Sequence, residues 1–252
     1  MKPEELINRI LAKKELDGLS FDFAYQELSY YINKHHLDFS LMSEKEIKLI
    51  IKEVRSSLRK YVGRFSISQK KREKMIESGD FNSLLETHYS TKERETIYPW
   101  LKEKIYSLRP SSILDLGCGL NPIAIAKKGV SYYAVDINKN DLKVVEAYFE
   151  KNNIPGKVFI YDLKKIDDSL PRTDITLIFK VLDILDKNHK LTEKIISSLT
   201  SKNVIVSFSM ISLSGKKMNH PKRNWFERII KSKGFDYYTE YKENELFYFM
   251  SR

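Results

Sequence analysis

Residues 115–122, DLGCGLNP, have the types and spacing that suit close contact with a bound molecule. Gly117 and Gly119 carry no side chain, so a strand that ends here can bring its backbone against a ligand. A dinucleotide-binding turn needs a third glycine, and Pro122 occupies that position. The turn therefore argues against a dinucleotide.

Acidic residues follow the next two apolar runs. Asp136 lies in YYAVDI, 17 residues beyond Gly119, and Asp162 lies in FIYDL. A carboxylate after the second strand of a nucleotide-binding sheet can accept hydrogen bonds from both ribose hydroxyls. A glycine turn followed by two such acids predicts a nucleoside site.

Two periodicities divide the chain that must position these residues. Over residues 1–105, apolar residues recur at helical spacing, and Ser43 with Glu46 forms a capping box before the clearest helix. From residue 111, short apolar runs alternate with helical or loop stretches, which is typical of a parallel sheet with crossover helices. The last two runs, DYYTEYK and ELFYFMS, have hairpin spacing, so the last strand should run antiparallel.

This pattern resembles the class I S-adenosylmethionine-dependent methyltransferases, and ILDLGCG at 113–119 resembles their first motif. The resemblance implies an α/β fold with a seven-stranded Rossmann-like sheet and an antiparallel last strand. We expect an all-helical N-terminal domain at 1–105 that docks RNA and a methyltransferase domain at 106–252. The implied cofactor is S-adenosyl-L-methionine, and the residues expected to bind it are His88, Arg94, Asp115, Gly117, Gly119, Asp136, Ile137, Asp162 and Leu163.

Three segments narrow the resemblance: HYSTKER at 88–94, CGLNPIAI at 118–125 and SFSMISLSGKK at 207–217. Together they resemble the aminoglycoside-resistance 16S rRNA (guanine-N7)-methyltransferases, which methylate a guanine in the decoding site of the small ribosomal subunit. By this resemblance, Arg94 grips the carboxylate of the cofactor, a pairing that suits the fork of a guanidinium. Lys180, after the fourth strand, is the implied catalytic residue at the mouth of the site.

Two positions depart from the family pattern. Ser209 stands where the family has a proline, and Asp183 and Ile184 occupy a stretch that usually contains one. Both lie near the expected entry of the target base, so the target could instead be another rRNA site or another RNA. A further alternative is a ribosome-assembly factor that binds the cofactor without turnover. Guanine N7 carries a free lone pair, so the reaction needs no general base, and Cys118 inside the cofactor turn is expected to pack rather than react.

The formal net charge of +10 is concentrated in two stretches. Residues 52–74 contain nine basic and two acidic residues, and residues 214–233 contain seven basic and one acidic. Such concentration favours a polyanionic partner, and the alternative is a pair of solvated helix faces. The residues expected to bind RNA are Arg55, Arg59, Lys60, Arg64, Lys70, Lys71, Arg72, Lys216 and Lys217, with Trp225 able to stack on a base.

The composition argues against several other classes. No apolar run approaches the roughly 18 residues of a membrane span, one cysteine cannot form a disulfide framework, and the five histidines lack metal-ligand spacing. We therefore expect a cytoplasmic protein without a membrane span or a metal. The family resemblance implies 16S rRNA in the small ribosomal subunit as its partner, and we expect it to act as a monomer.

Overall fold

The computed structural model describes residues 3–38, 42–62, 69–167, 169–185, 189–211, 218 and 221–252. The first part of the chain is helical, as predicted. Its helices are α1 (Pro3–Leu11), α2 (Phe21–Lys34), α3 (Glu44–Leu58), α4 (Gln69–Ser78), α5 (Phe81–Thr87), α6 (Tyr89–Glu93) and α7 (Tyr98–Ser107). Within the described ranges, no helix has both the length and the apolar character needed to cross a membrane.

Helix α3 begins at the predicted capping box. The Ser43 hydroxyl accepts a hydrogen bond from the Glu46 amide at 3.4 Å, and the Glu46 carboxylate accepts one from the Ser43 amide at 2.8 Å. These bonds satisfy amide groups that have no partner inside the helix. The apolar stripe of α3 packs with α1 and α2 in a cluster that we call the N-terminal core, whose members include Leu6, Ile7, Ile10, Phe23, Leu28, Ile47, Ile50, Val54 and Leu58.

The second part of the chain forms a seven-stranded sheet, and the predicted fold class is confirmed. Its strands are β1 (Ser112–Leu116), β2 (Ser131–Asp136), β3 (Gly156–Ile160), β4 (Ile175–Phe179), β5 (Asn203–Ser209), β6 (Asp236–Lys242) and β7 (Glu245–Ser251). The strand order is β3-β2-β1-β4-β5-β7-β6. Strands β1 to β5 run parallel, and β7 pairs antiparallel with both β5 and β6. The parallel strands therefore bring their carboxyl ends to one edge, where ligands bind in such sheets.

Both faces of the sheet are covered by helices. Helices α8 (Asn121–Ile125), α9 (Lys139–Asn152), α10 (Leu182–Leu185), α11 (Lys190–Ser198) and α12 (Asn224–Ser232) connect the strands. Ile113 packs with residues of α5, α7 and α9, whereas its neighbour Leu114 packs with residues of α11 and α12. This alternation follows the two-residue period of a strand. Phe226 is fully buried and anchors α12, as its position before the final hairpin suggests.

The N-terminal helices pack against the ends of β2 and β3. Lys164, which follows β3, forms an ion pair with Glu27 of α2 and lies over the rings of Phe23 and Tyr61, 4.8 and 4.3 Å from their centroids. The amide of Lys139 donates a hydrogen bond to the carbonyl of residue 18 at 2.9 Å. The helical part of the chain is thus in direct contact with the strand ends that carry Asp136 and Asp162.

Gly18 allows one of these contacts. A Cβ atom at this position would lie 2.0 Å from Oδ1 of Asn138, at the start of α9. Such a distance is a collision, so a side chain here would displace the buried Asn138 side chain, whose Oδ1 caps α9. The close approach therefore depends on glycine.

Candidate active site

Strand β1 ends in a tight turn that needs its glycines. Gly117 has φ +70° and Gly119 has φ +48°, which is a region that favours glycine. The amides of Gly117 and Cys118 donate hydrogen bonds to the carbonyl of Val135 at 2.8 and 3.0 Å. A Cβ atom on Gly117 would also lie 2.5 Å from Cγ2 of Val181. The turn is therefore held against the end of β2 with its backbone open to a ligand.

Asp136, at the end of β2, braces the glycine turn. Its Oδ2 accepts a hydrogen bond from the Gly119 amide at 2.8 Å, and its Oδ1 accepts one from the Asn138 amide at 2.9 Å. Burial, and then the charge of Asp141, raise the pKa of the Asp136 carboxyl to about 6, so it is ionised at neutral pH. A carboxylate has about four acceptor positions, so each oxygen can still accept a hydrogen bond from a ligand hydroxyl.

Asp162 follows β3 and offers an acceptor to a ligand. Its Oδ1 accepts a hydrogen bond from the Lys164 amide at 2.9 Å and caps the 3₁₀ helix Leu163–Lys165. Its Oδ2 is buried and has no hydrogen-bond partner among the described residues. A buried polar atom without a partner costs free energy, so a donor from a ligand would stabilise this arrangement.

Arg94 is fully buried and is held on two sides. Its Nε donates a hydrogen bond to Oε1 of Glu245 at 2.7 Å, and its Nη1 donates one to Oδ1 of Asn121 at 3.0 Å. The Tyr98 hydroxyl also donates to Asn121 Oδ1, at 2.8 Å, and the Phe179 ring lies 5.2 Å from the guanidinium carbon. The remaining nitrogen, Nη2, has no hydrogen-bond partner within the described ranges. Arg94 therefore has one buried guanidinium nitrogen for which the described residues supply no acceptor.

Arg94 lines a small cleft of about 40 Å³. Three other residues that were predicted to bind the cofactor, His88, Gly117 and Gly119, also line it, as does Phe179 at the end of β4. Burial lowers the pKa of His88 to about 4, so its imidazole is neutral at physiological pH. The structure thus brings the segment before β1 against the turn that follows β1. Arg94 is therefore the positively charged side chain among these five residues, and its guanidinium suits a carboxylate.

Asp115 lies behind the glycine turn. It is buried in β1, and the hydroxyl of Tyr132 donates a hydrogen bond to its Oδ2 at 2.8 Å. Burial raises the pKa of the Asp115 carboxyl to about 7. Because the folded protein holds this proton more tightly than the unfolded chain does, the contribution of Asp115 to stability is fully present below the ordinary pKa of 3.8 and is lost as the pH rises from there through about 7.

Lys180 follows β4 in a left-handed conformation, with φ +58°. Its Nζ forms ion pairs with Oε2 of Glu93 at 2.8 Å and with Oε1 of Glu245 at 2.9 Å. The ammonium group is therefore engaged by two carboxylates. Its catalytic role stays a prediction.

Glu245 is a site residue that the sequence reasoning missed. It joins Arg94 and Lys180 and also accepts a hydrogen bond from the Ser207 hydroxyl at 2.7 Å. The available signal was local: a glutamate at the first position of a strand whose next five residues, LFYFM, are apolar or aromatic. A buried carboxylate at that position requires a cationic partner, but the strand alone does not identify it.

The prediction that Arg72 contributes to an RNA-binding surface is wrong. Its side chain is 2% exposed, and its Nη2 forms an ion pair with Oδ1 of Asp141 at 2.6 Å. Arg72 shares a face of α4 with Met75 and Ile76, which pack against the sheet core, because residues three and four apart lie on the same side of a helix. Lys70 and Lys71 on the same helix are exposed.

The other predicted RNA-binding cations are distributed unevenly. Arg55 donates hydrogen bonds to the carbonyls of Arg9 and Ile10, and Arg59 forms an ion pair with Glu15 at 3.0 Å. Lys60 is exposed. Arg64, Lys216 and Lys217 lie outside the described residues.

A cationic cleft of about 400 Å³ lies between α1 and α3. Arg55 and Arg59 line it, together with three cations that the sequence analysis did not select, Arg9, Lys48 and Lys52. Because Arg55 and Arg59 are fixed by α1 and by Glu15, their guanidinium groups are held in place rather than free to move with solvent. The cleft concentrates positive charge on the N-terminal helices.

Trp225 has a packing role in the described structure. Its indole stacks on the His189 ring with 3.7 Å between centroids, and it meets Phe208 and Phe226 edge to face. One face of the indole is therefore covered by His189. The expected stacking of Trp225 on a base would have to use the rest of the ring.

The two departures from the family pattern are joined by Arg223. Its Nη2 forms an ion pair with Oδ2 of Asp183 at 2.8 Å and donates a hydrogen bond to the carbonyl of Ser209 at 3.0 Å. The Ser209 hydroxyl accepts a hydrogen bond from the Ile211 amide at 3.1 Å. An ion pair and a local hydrogen bond thus constrain loops in which the family has prolines.

The family model for ribosomal RNA methyltransferases (FmrO) matches residues 74–249. The chain belongs to this family. The match includes the glycine turn, Arg94, both acids at the strand ends and most of the final hairpin, so the resemblance read from the sequence is confirmed.

Two relatives are similar to this chain in sequence over long stretches. A "16S rRNA (guanine(1405)-N(7))-methyltransferase" from Serratia marcescens is 28% identical over 236 residues, which cover 90% of this chain and 89% of the relative. The protein of the same name from Proteus mirabilis is 29% identical over 141 residues, which cover 53% of this chain and about half, 50%, of that relative.

The fold is also that of a solved enzyme. The structure of 16S rRNA methyltransferase RmtF in complex with S-adenosyl-L-homocysteine matches with a TM-score of 0.82 at 21% identity. The match covers 100% of this chain and 99% of that one. The helical N-terminal part and the sheet are therefore both present in that fold.

Proposed function

We propose that this chain is an S-adenosylmethionine-dependent methyltransferase that modifies N7 of a guanine in 16S rRNA of the small ribosomal subunit. The observation that carries the proposal is the arrangement at the carboxyl ends of β1, β2 and β3. The glycine turn and the carboxylates of Asp136 and Asp162 follow these strands, and Arg94, whose Nη2 has no hydrogen-bond partner among the described residues, lines a cleft with the glycine turn. The chain also belongs to a family of ribosomal RNA methyltransferases.

The residues fit the polar parts of this cofactor. Arg94 Nη2 suits the carboxylate of its amino-acid part, because a guanidinium binds carboxylates strongly. Asp136 retains acceptor positions for two ribose hydroxyls, and the buried Oδ2 of Asp162 suits the adenine amino group. The glycine turn lets the backbone pass close beneath these groups.

When bound, S-adenosylmethionine supplies an electrophilic methyl group on a sulfonium. Guanine N7 has a lone pair at neutral pH, so the protein needs to position this atom rather than remove a proton from it. Burial raises the pKa of the Cys118 thiol well above its ordinary value, so the thiol stays neutral and is a poor nucleophile. The site therefore suits methylation of a ring nitrogen better than a reaction through a cysteine adduct.

The proposed target follows the name of the Serratia marcescens relative, guanine 1405 of 16S rRNA. The departures at Ser209 and Asp183 lie near the expected entry of the base, so a different nucleotide of rRNA, or a different RNA, is the alternative target. That the enzyme works as a monomer stays a prediction.

Purified protein should transfer one methyl group per small ribosomal subunit, at N7 of the decoding-site guanine. The measurement is transfer from S-adenosylmethionine with a labelled methyl group to small subunits, free 16S rRNA and tRNA in parallel. The modified base is then located by borohydride and aniline cleavage, which is selective for 7-methylguanine. An Arg94→Met variant, in which the carboxylate contact is lost, is the control.

Each alternative has its own result in this experiment. Cleavage at another guanine, or methylation of tRNA, would replace the proposed target. Cofactor binding without transfer to any of the three RNAs would indicate an assembly factor instead of an enzyme.

We propose that the cationic cleft between α1 and α3 holds phosphates of the rRNA. Lysine and arginine clusters bind nucleic acid mainly through phosphates, which position the partner without reading its sequence.

The helices that follow residue 69 belong with the sheet. Phe81 and Leu84 of α5 and Leu101 of α7 pack into the sheet core, which favours a docking unit that ends near residue 62 rather than at 105.

A Lys48→Gln/Lys52→Gln variant should bind small subunits more weakly and with a smaller salt dependence. Both lysines are exposed and line the cleft, and losing two phosphate contacts should reduce the slope of log affinity against log salt by about 1.4 to 1.8. Filter binding at several salt concentrations between about 50 and 200 mM measures both effects. A Lys127→Gln/Lys128→Gln variant, with two exposed lysines before β2, is the matched control. Equal slopes for the two variants would make the cleft an ordinary solvated surface.

A further inference from the structure

We infer that Glu245 is a positioning residue for recognition of the cofactor's carboxylate. It lies 151 residues from Arg94 in sequence and outside the motifs that carry the resemblance. The inference rests on the proposed function of Arg94. It adds a residue whose own contact is with Arg94 and Lys180, not with the ligand.

Glu245 is the acceptor that connects three elements. Its Oε1 accepts hydrogen bonds from Arg94 Nε at 2.7 Å and forms an ion pair with Lys180 Nζ at 2.9 Å. Its Oε2 accepts a hydrogen bond from the Ser207 hydroxyl at 2.7 Å. The side chain is 3% exposed. Strand β7 therefore fixes the segment before β1, the residue after β4 and the end of β5 through one carboxylate.

The charge of Glu245 is maintained by these partners. Burial opposes ionisation, but Arg94 and Lys180 together hold the pKa of the carboxyl below its ordinary value. Two cations meet two carboxylates here, since Glu93 also pairs with Lys180. The two positive and two negative charges of this cluster sum to zero, so the buried Arg94 guanidinium is not left without counter-charge.

This pairing decides which part of Arg94 faces the ligand. Glu245 occupies Nε and Asn121 occupies one donor position on Nη1, which leaves Nη2 without a partner in the described part of the chain. An arginine without these two acceptors could rotate and present Nε instead. A guanidinium held in advance loses less conformational freedom when it binds a carboxylate.

The test uses two ligands that differ in the amino-acid part, which carries the carboxylate and an ammonium group. S-adenosylhomocysteine carries the amino-acid part, whereas 5′-methylthioadenosine has the same nucleoside and sulfur without it. Glu245→Asp keeps the negative charge but withdraws it by one methylene, so it cannot reach Arg94, Lys180 and Ser207 together. We expect this variant to bind S-adenosylhomocysteine about 10 times more weakly, as for the loss of one charge-assisted hydrogen bond, and 5′-methylthioadenosine as wild type does.

Calorimetric titration of both ligands gives the result for four proteins: wild type, Glu245→Asp, Arg94→Met and the double variant. If Glu245 acts through Arg94, Glu245→Asp has no further effect on S-adenosylhomocysteine affinity in the Arg94→Met background. Glu240→Asp, at an ion pair with Lys104 on the outer strand β6, is the matched control and should change neither affinity.

Several outcomes separate the explanations. Equal weakening of both ligands by Glu245→Asp would mean a structural role only, and unchanged S-adenosylhomocysteine affinity would overturn the inference. If Arg94→Met changes the affinity for both ligands equally, the proposed contact between Arg94 and the carboxylate is wrong, whatever Glu245→Asp does. Should Glu245→Asp not fold, Ser207→Ala removes one hydrogen bond to the same carboxylate without changing charge, and a selective loss of S-adenosylhomocysteine affinity is expected there too. No change in that variant would overturn the inference.

Discussion

An Arg94→Met variant binds S-adenosylhomocysteine about 10 to 150 times more weakly than the wild-type protein, as expected when a hydrogen bond between charged groups is lost. Methionine fills much of the same volume but has no donor for the carboxylate. Nη2 of Arg94 is the donor that the fold leaves without a partner among the described residues, so its removal acts directly on the ligand. Isothermal titration at pH 7.5 measures the affinity.

The fold should survive this change. Glu245 loses its bond to Arg94 but keeps its ion pair with Lys180 and its hydrogen bond from Ser207. Circular dichroism of the variant checks this point, and Arg172→Met, at an exposed arginine before β4, is the matched control for the loss of one guanidinium. Wild-type affinity in a folded Arg94→Met variant would remove Arg94 from the proposed site.

An Arg72→Met variant loses about 3 to 5 kcal/mol of unfolding free energy, the usual cost of removing one partner of a buried ion pair. The side chains of Arg72 and Asp141 are both almost fully buried, and Nη2 of Arg72 lies 2.6 Å from Oδ1 of Asp141. Burial already raises the pKa of Asp141, and Arg72 opposes that rise, so the variant leaves a buried carboxyl without its counter-charge. Urea unfolding followed by circular dichroism measures the loss.

Lys71→Met is the control, since Lys71 is exposed one residue before Arg72 on the same helix. It should leave stability nearly unchanged. An Arg72→Met/Asp141→Asn variant should recover part of the loss, because it removes the second charge as well. A loss below about 1 kcal/mol in Arg72→Met, the range of an exposed ion pair, would contradict the buried arrangement.

The strands, the final hairpin and the position of Asp136 and Asp162 at strand ends were accessible from sequence because their signals are local. A strand repeats every two residues, and a glycine turn followed by acids at strand ends depends only on short spacings. Parallel strands then bring those ends together whatever the rest of the chain does. The capping box of α3 is likewise set by residues three apart, Ser43 and Glu46.

The partners of buried charges were decided by the tertiary structure. Arg72 reads as one more cation in a basic stretch, yet its partner Asp141 is 69 residues away. Glu245 lies 151 residues from Arg94, and Lys164 lies 137 residues from Glu27. Removing a charge from water is costly unless an opposite charge is close, and only packing brings such residues together. The sequence of this protein determined which strand ends carry the glycine turn and the acids, whereas the folded chain decided which of the described charges are paired with each other.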